Sequence, residues 1–146
     1  GSDVILDQTI TIRFDANTDP DMPWVFKPAQ REMTVRIGET ALAFYEAHNP
    51  TDHPVAGQAA YNVSPYAAGV FFDKIECFCF TEQVLQPGET VQMPVSFFVD
   101  PAIVEDAEGK FVRSITLSYT FYQIDLPEEQ QQAALTIPAT NAIELN

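Results

Sequence analysis

Apolar and polar residues alternate along most of the chain. In QTITIRF, Ile10, Ile12 and Phe14 share one side of an extended backbone and Thr9, Thr11 and Arg13 the other, which is the period-2 signature of a strand with one buried face. EMTVRI repeats the pattern with Met33, Val35 and Ile37, and Gly38-Glu39-Thr40 turns the chain into ALAFYEAH. Asn49-Pro50-Thr51 ends that segment, because proline cannot donate to a ladder and biases its neighbour toward extended or turn geometry. The same reading places strands over 55–63, 69–81, 90–99 and 114–122, with a short edge strand over 24–26. Ser64-Pro65, Gln86-Pro87-Gly88-Glu89 and Asp100-Pro101 separate them. Seven or eight strands at this spacing, with no helical period before residue 126, predict an all-β fold, an immunoglobulin-like antiparallel β-sandwich in a single domain over 8–125. The inter-sheet disulfide and partner tryptophan of antibody domains are not recognisable. Residues 1–7, whose Gly1-Ser2 reads as an expression scar, are expected to be disordered. Residues 126–146, with Pro127 and three consecutive Gln, are expected to form a flexible tail, a short helix over 128–135 being the alternative.

Composition supports a packed interior. Of 146 residues 46% are hydrophobic, including eleven Phe and five Tyr, and a domain of this size buries roughly 68–70% of its unfolded surface. A core forms without staples. Seven Lys and Arg against 21 Asp and Glu give a net charge of -14, which repels phosphate backbones and excludes nucleic acid as a partner. The carboxylates read first as a solvated surface, and second as an attraction for a cation or a basic partner. The chain contains no run of 18 apolar residues and no signal-peptide pattern, so it is expected to be the soluble part of a longer protein.

Raw material for catalysis is thin, and the expectation is that the chain is not an enzyme. His48 and His53 flank the Asn49-Pro50-Thr51 turn at a spacing that fits no zinc motif. No nucleophile elbow, phosphate loop or dinucleotide fingerprint is present. Asp100, Glu105, Asp106 and Glu108 share one loop whose spacing matches no calcium hand, and read as a solvated acidic loop.

Cys77 and Cys79, in IECFCFTEQ, are the two cysteines of the chain. On a strand, residues i and i+2 face the same way with Cα atoms roughly 6.5–7 Å apart. A disulfide wants Cα atoms about 4.4–6.8 Å apart, so a bridge here is strained and easily reduced. One metal ion relaxes that demand. Two thiolates are too few for structural zinc but suit soft Cu(I), which an exposed site can pass on by ligand exchange. Met93, in VQMPV, is a further soft ligand if its strand neighbours the cysteine strand, and otherwise a thioether filling a core gap. From the residues alone, a buried pair, a metal site and redox exchange all stand.

The run FFDKIECFCFTEQVLQPGETVQMPVSFFVDP, with FKPAQREMTVRIGETALAFYEAHNPTDHPVAGQAAYNVSPYAAG before it and ITLSYTFY after it, resembles the CtaG family of cytochrome c oxidase assembly proteins, which are copper chaperones. The likeness covers about residues 8 to 125. The resemblance implies a sandwich held by an N-terminal transmembrane helix in the bacterial inner membrane and facing the periplasm, or the intermembrane space in mitochondria. It implies delivery of Cu(I) to the copper B site in subunit I of cytochrome c oxidase, with Cys77 and Cys79 as the copper thiols and Met93 on a methionine of the family pattern. It also implies a copper-bound homodimer, an upstream copper donor and a thiol reductant. The family's membrane helix, and the third cysteine it carries just beyond that helix, have no counterpart in this sequence. The alternative function is a thiol-disulfide oxidoreductase acting on the copper-site thiols of the oxidase; a plain interaction module is the third.

Overall fold

A computed structural model describes residues 4–72, 76–77 and 82–128, the pair 76–77 by its backbone. The alternating segments become strands β1 (Thr9–Thr18), β2 (Val25–Pro28), β3 (Glu32–Arg36), β4 (Ala41–His48), β5 (Val55–Ser64), β6 (Glu76–Cys77), β7 (Gln83–Leu85), β8 (Thr90–Phe97) and β9 (Ser114–Ile124). They form one sheet in the order β3-β1-β9-β5-β7 and a second in the order β2-β4-β8-β6. This is the immunoglobulin-like two-layer architecture the periodicity predicts. One pairing departs from the antiparallel rule: β1 runs parallel to β9, from Thr11 opposite Ser114 to Thr18 opposite Phe121.

The core lies where the inward faces meet. Ile10, Ile12 and Phe14 of β1 and Ile115, Leu117, Tyr119 and Phe121 of β9 are buried, as are Ala43, Tyr45 and Ala47 of β4 and Met93, Val95 and Phe97 of β8. Aromatic rings fill its centre. Phe121 packs edge-on against Phe26 at 4.8 Å and beside Trp24 at 5.0 Å, and Tyr45 stacks on Phe26 at 5.3 Å. Such pairs add roughly 0.5–1.5 kcal/mol beyond the area they bury.

Two expectations change. The apolar run after Ser64-Pro65 does not begin a strand over 69–81: Tyr66–Phe72 is a 3-10 helical segment, and the strand among the described residues there is the short β6. The reason is its burial period. Ala68 and Phe72 are buried whereas Val70, which a strand would turn to the same side, is 70% exposed. Strand β7, pairing with β5 from Val55 opposite Leu85 to Gly57 opposite Gln83, is additional to the predicted set. Residues 4–7, placed by the sequence in a disordered lead, are held to the β3–β4 corner: the Leu6 amide donates to the Ile37 carbonyl at 2.9 Å and Arg36 Nε donates to the Leu6 carbonyl at 3.0 Å. Gly38, at φ +94, lies so close to the Val4 carbonyl that no Cβ fits. The helix expected over 128–135 lies, apart from Glu128, outside the described residues, as does the rest of the tail.

Two buried phenols are treated differently by the fold. Tyr45 Oη donates to the Leu117 carbonyl at 3.0 Å and lies 3.3 Å from the Asp15 carbonyl, whereas Tyr119 Oη has no hydrogen-bond partner among the described residues. Tyr45→Phe is therefore expected to cost about 1–2 kcal/mol and Tyr119→Phe to be neutral or stabilising, an order that urea unfolding checks. Burial raises both pKa values well above the ordinary tyrosine value of 10.0. The folded state thus prefers the neutral form. Their contribution is complete below about pH 10, where the unfolded phenols ionise, and is lost as pH rises beyond it; the double Phe variant loses that alkaline dependence.

Candidate metal centre

Sequence reasoning names Cys77, Cys79 and Met93, and the described backbone fixes the surroundings of the first. Among the described residues β6 forms the outer strand of its sheet beside β8, with Glu76 opposite Ser96 and Cys77 opposite Val95. The Cys77 side chain and the whole of Cys79 lie outside the described residues.

Both approaches to the thiol segment are anchored. Before it, Phe72 is 1% exposed and stacks on Phe97 of β8 at 5.5 Å, while the Asp100 amide donates to the Phe71 carbonyl at 3.1 Å. After it, Leu85 of β7 is buried and its carbonyl accepts from Asn49 Nδ2 at 3.0 Å. The chain therefore passes from one sheet to the other between Cys77 and Gln83, with its ends fixed by packing.

Met93 sits two residues from Val95 on β8, so its strand does neighbour the cysteine strand. Its own side chain is 1% exposed within the core, on the strand position opposite Tyr45. The thioether fills the interior at this point. A sulfur acting from here acts from the core side of the sheet.

The remaining candidates are not brought to β6. His48 Nδ1 lies 2.8 Å from Thr90 Oγ1, five residues and thus roughly 17 Å along β8 from Val95. His53 Nδ1 bonds to Asp52 Oδ1 at 3.1 Å, and this bond holds the Asp52 carboxyl below its ordinary range. In the acidic loop, Asp100 Oδ1 accepts from the Ala102 amide at 2.9 Å, and Asp106 Oδ2 accepts from the Gly109 amide at 2.7 Å and the Glu108 amide at 3.1 Å. Those two carboxylates close local turns. Among the described residues no group of three or more His, Cys, Asp or Glu is arranged to hold a metal, and no helix is long and apolar enough to cross a membrane.

Residues 2–123 match the sequence model of the family described as cytochrome c oxidase assembly protein CtaG/Cox11. The chain is 72% identical over 128 residues to the cytochrome c oxidase assembly protein CtaG of Ruegeria pomeroyi, covering 88% of this chain and 67% of that protein. It is 72% identical to the CtaG of Roseobacter denitrificans, over 88% of this chain and 66% of the relative, and 60% identical to that of Paracoccus denitrificans, over 96% and 73%. The chain thus spans about two thirds of the length of these relatives. Among solved structures, it is similar at a TM-score of 0.33 and 13% identity to a PapD-like domain of human CEP192, over 82% of this chain and 87% of that one.

Proposed function

From the premise that this chain belongs to the CtaG/Cox11 family of cytochrome c oxidase assembly proteins, we propose that it serves oxidase assembly as a copper chaperone. It binds Cu(I) through Cys77 and Cys79 and delivers it to the copper B site of subunit I. The observation that carries this reading is the pair of thiols, all the cysteines the chain has, inside a family match that spans residues 2–123. Soft thiolates suit Cu(I), and an ion held by few ligands leaves by ligand exchange without waiting for the domain to unfold. The place of Cys77 on an outer strand supports exchange, because a second chain can approach along that edge. On this reading the protein belongs to the bacterial inner membrane with this domain on the periplasmic side, where an upstream reductant keeps the pair reduced for an upstream donor to load.

The test is the copper-to-protein ratio of the reduced chain, measured without oxygen while its oligomeric state is followed. About one Cu(I) per chain with a concentration-dependent dimer is expected, since two thiol pairs then supply four sulfurs to two ions. Appreciable turnover in a dithiol-disulfide exchange assay, without stoichiometric copper, replaces the carrier by the oxidoreductase.

A further inference from the structure

One end of the sandwich carries an apolar surface that the core does not use. A chain of backbone contacts defines that end: the Leu6 amide meets the Ile37 carbonyl, the Gly38 amide donates to Val99 at 2.8 Å, and the Asp100 amide donates to Phe71. Against it pack the three 3-10 helical segments Tyr66–Phe72, Pro101–Glu105 and Gly109–Phe111. The large side chains they expose are unusual for loops: Tyr66 is 97% exposed, Val70 70% and Phe111 70%, with Ile5 at 48% beside the Gly38 corner. Each segment also buries a residue, Ala68 with Phe72, Ile103 and Gly109, so the exposed residues stand on fixed turns.

Acidic groups outnumber basic ones at this end: Asp7, Glu39, Asp100, Glu105, Asp106 and Glu108 stand against Arg36, Lys110 and Arg113, and Arg36 is paired with Asp7. The Glu105 and Glu108 side chains are exposed and their carboxylates make no hydrogen bond or ion pair among the described residues, and the Asp100 and Asp106 carboxylates accept amides without meeting a cation. Lys110 lies 5.2 Å from the centre of the Phe111 ring. Carboxylates in this position repel anionic lipid, and on a chain of net charge -14 they also oppose a second copy. They complement a surface whose rim is basic.

We propose that this end is a docking surface for a protein partner that presents an apolar patch bordered by Lys or Arg. Tyr66, Val70 and Phe111 enter the patch and Glu105 and Glu108 meet the rim. On the reading of the chain as a copper carrier, on which this inference rests, the partner is the copper acceptor. β6 meets β8 at Val95 and Ser96, just inside the end where β8 finishes at Phe97, so a partner seated here lies beside the thiol segment.

The experiment places a photo-crosslinking phenylalanine analogue at Tyr66, Val70 or Phe111 of the full-length protein in membranes that assemble the oxidase, with Tyr122 as the control position, and probes for oxidase subunit I. A subunit I adduct from the first three positions and not from the control is expected. The triple variant Tyr66→Ser, Val70→Ser, Phe111→Ser is expected to bind Cu(I) at the wild-type ratio yet to lower copper occupancy of the oxidase at least about tenfold. Glu105→Lys with Glu108→Lys is expected to weaken the adduct and reverse its salt dependence. Wild-type oxidase loading by the triple variant overturns the docking surface. So does flotation on phosphatidylglycerol vesicles that the triple variant loses, which assigns the end to the bilayer, or a dimer that it loses, which assigns it to a second copy. Failure of the wild-type protein to bind Cu(I) at all strikes the carrier reading instead, and the copper ratio reads that separately.

Discussion

Serine at Cys77 or Cys79 is expected to lower Cu(I) affinity by at least about 100-fold and to leave the oxidase without its copper, while the domain stays folded. The chain has two thiols, so one replacement removes half of the ligand set. A hydroxyl does not substitute, because it stays protonated near neutral pH and its oxygen is hard where Cu(I) favours soft sulfur. Competition against a colorimetric Cu(I) chelator reads the affinity, and metal analysis of oxidase purified from cells carrying the full-length variant reads delivery. Thermal unfolding is the control: Phe72 and Leu85 anchor the two flanks of the segment whichever atom stands at Cys77, so the melting temperature should move by no more than a few degrees. A single serine variant that retains stoichiometric, chelator-resistant copper refutes the dithiolate site. The double variant adds a second discrimination, because an interaction module would still support copper insertion without either thiol.

The strands that build the core were legible because each presents one face to it. Ile10, Ile12 and Phe14, or Met93, Val95 and Phe97, are buried in alternation as the pattern requires. The parallel pairing of β1 with β9 was not legible, since alternation records which face is buried and carries no direction for the neighbour. The segment Tyr66–Phe72 misled for a related reason. Its residues are nearly all apolar, so no polar positions mark the period, and a short apolar run fits strand and helix alike. β7 went unread because three residues are too few to show alternation. At the site, the spacing of Cys77 and Cys79 left a buried pair, a metal site and redox exchange open, and the neighbourhood of Met93 depended on which strands lie side by side. That adjacency is set by the sheet order β4-β8-β6, a long-range property absent from local sequence. The exposed Tyr66, Val70 and Phe111 were likewise invisible as a group, for Phe111 lies far along the chain from the segment that holds Tyr66 and Val70, and the two share one end of the sandwich only when β5, β8 and β9 bring their ends together.

Asn49→Ala is expected to destabilise the domain by about 2–4 kcal/mol, lowering the melting temperature by roughly 5–15 °C. The residue read from sequence as part of a proline turn is fully buried, at 0% exposure, and every polar atom of its side chain is used. Nδ2 donates to the carbonyls of His53 at 2.9 Å, Leu85 at 3.0 Å and Gln86 at 3.2 Å, and Oδ1 accepts from the Thr51 amide at 3.0 Å and hydroxyl at 2.7 Å. Its backbone adds bonds to Glu89 and from Gly88, so the loop after β4 and the turn after β7 are tied through one side chain. Alanine leaves those carbonyls and the Thr51 amide to find other partners inside the fold. Asn49→Asp keeps the shape but replaces the donor by an oxygen facing three carbonyls, and is expected to be at least as damaging at neutral pH and to recover as acid protonates it. Differential scanning calorimetry at pH 7 and pH 4 checks both the size and the sign; an alanine variant that melts within a degree of wild type would falsify the tie. Because Leu85 ends the strand that receives the chain after the thiol segment, the same variant separates stability from chemistry. Held below its melting temperature it should still bind one Cu(I) per chain, since Asn49 orders the return of the segment and contributes no ligand to it.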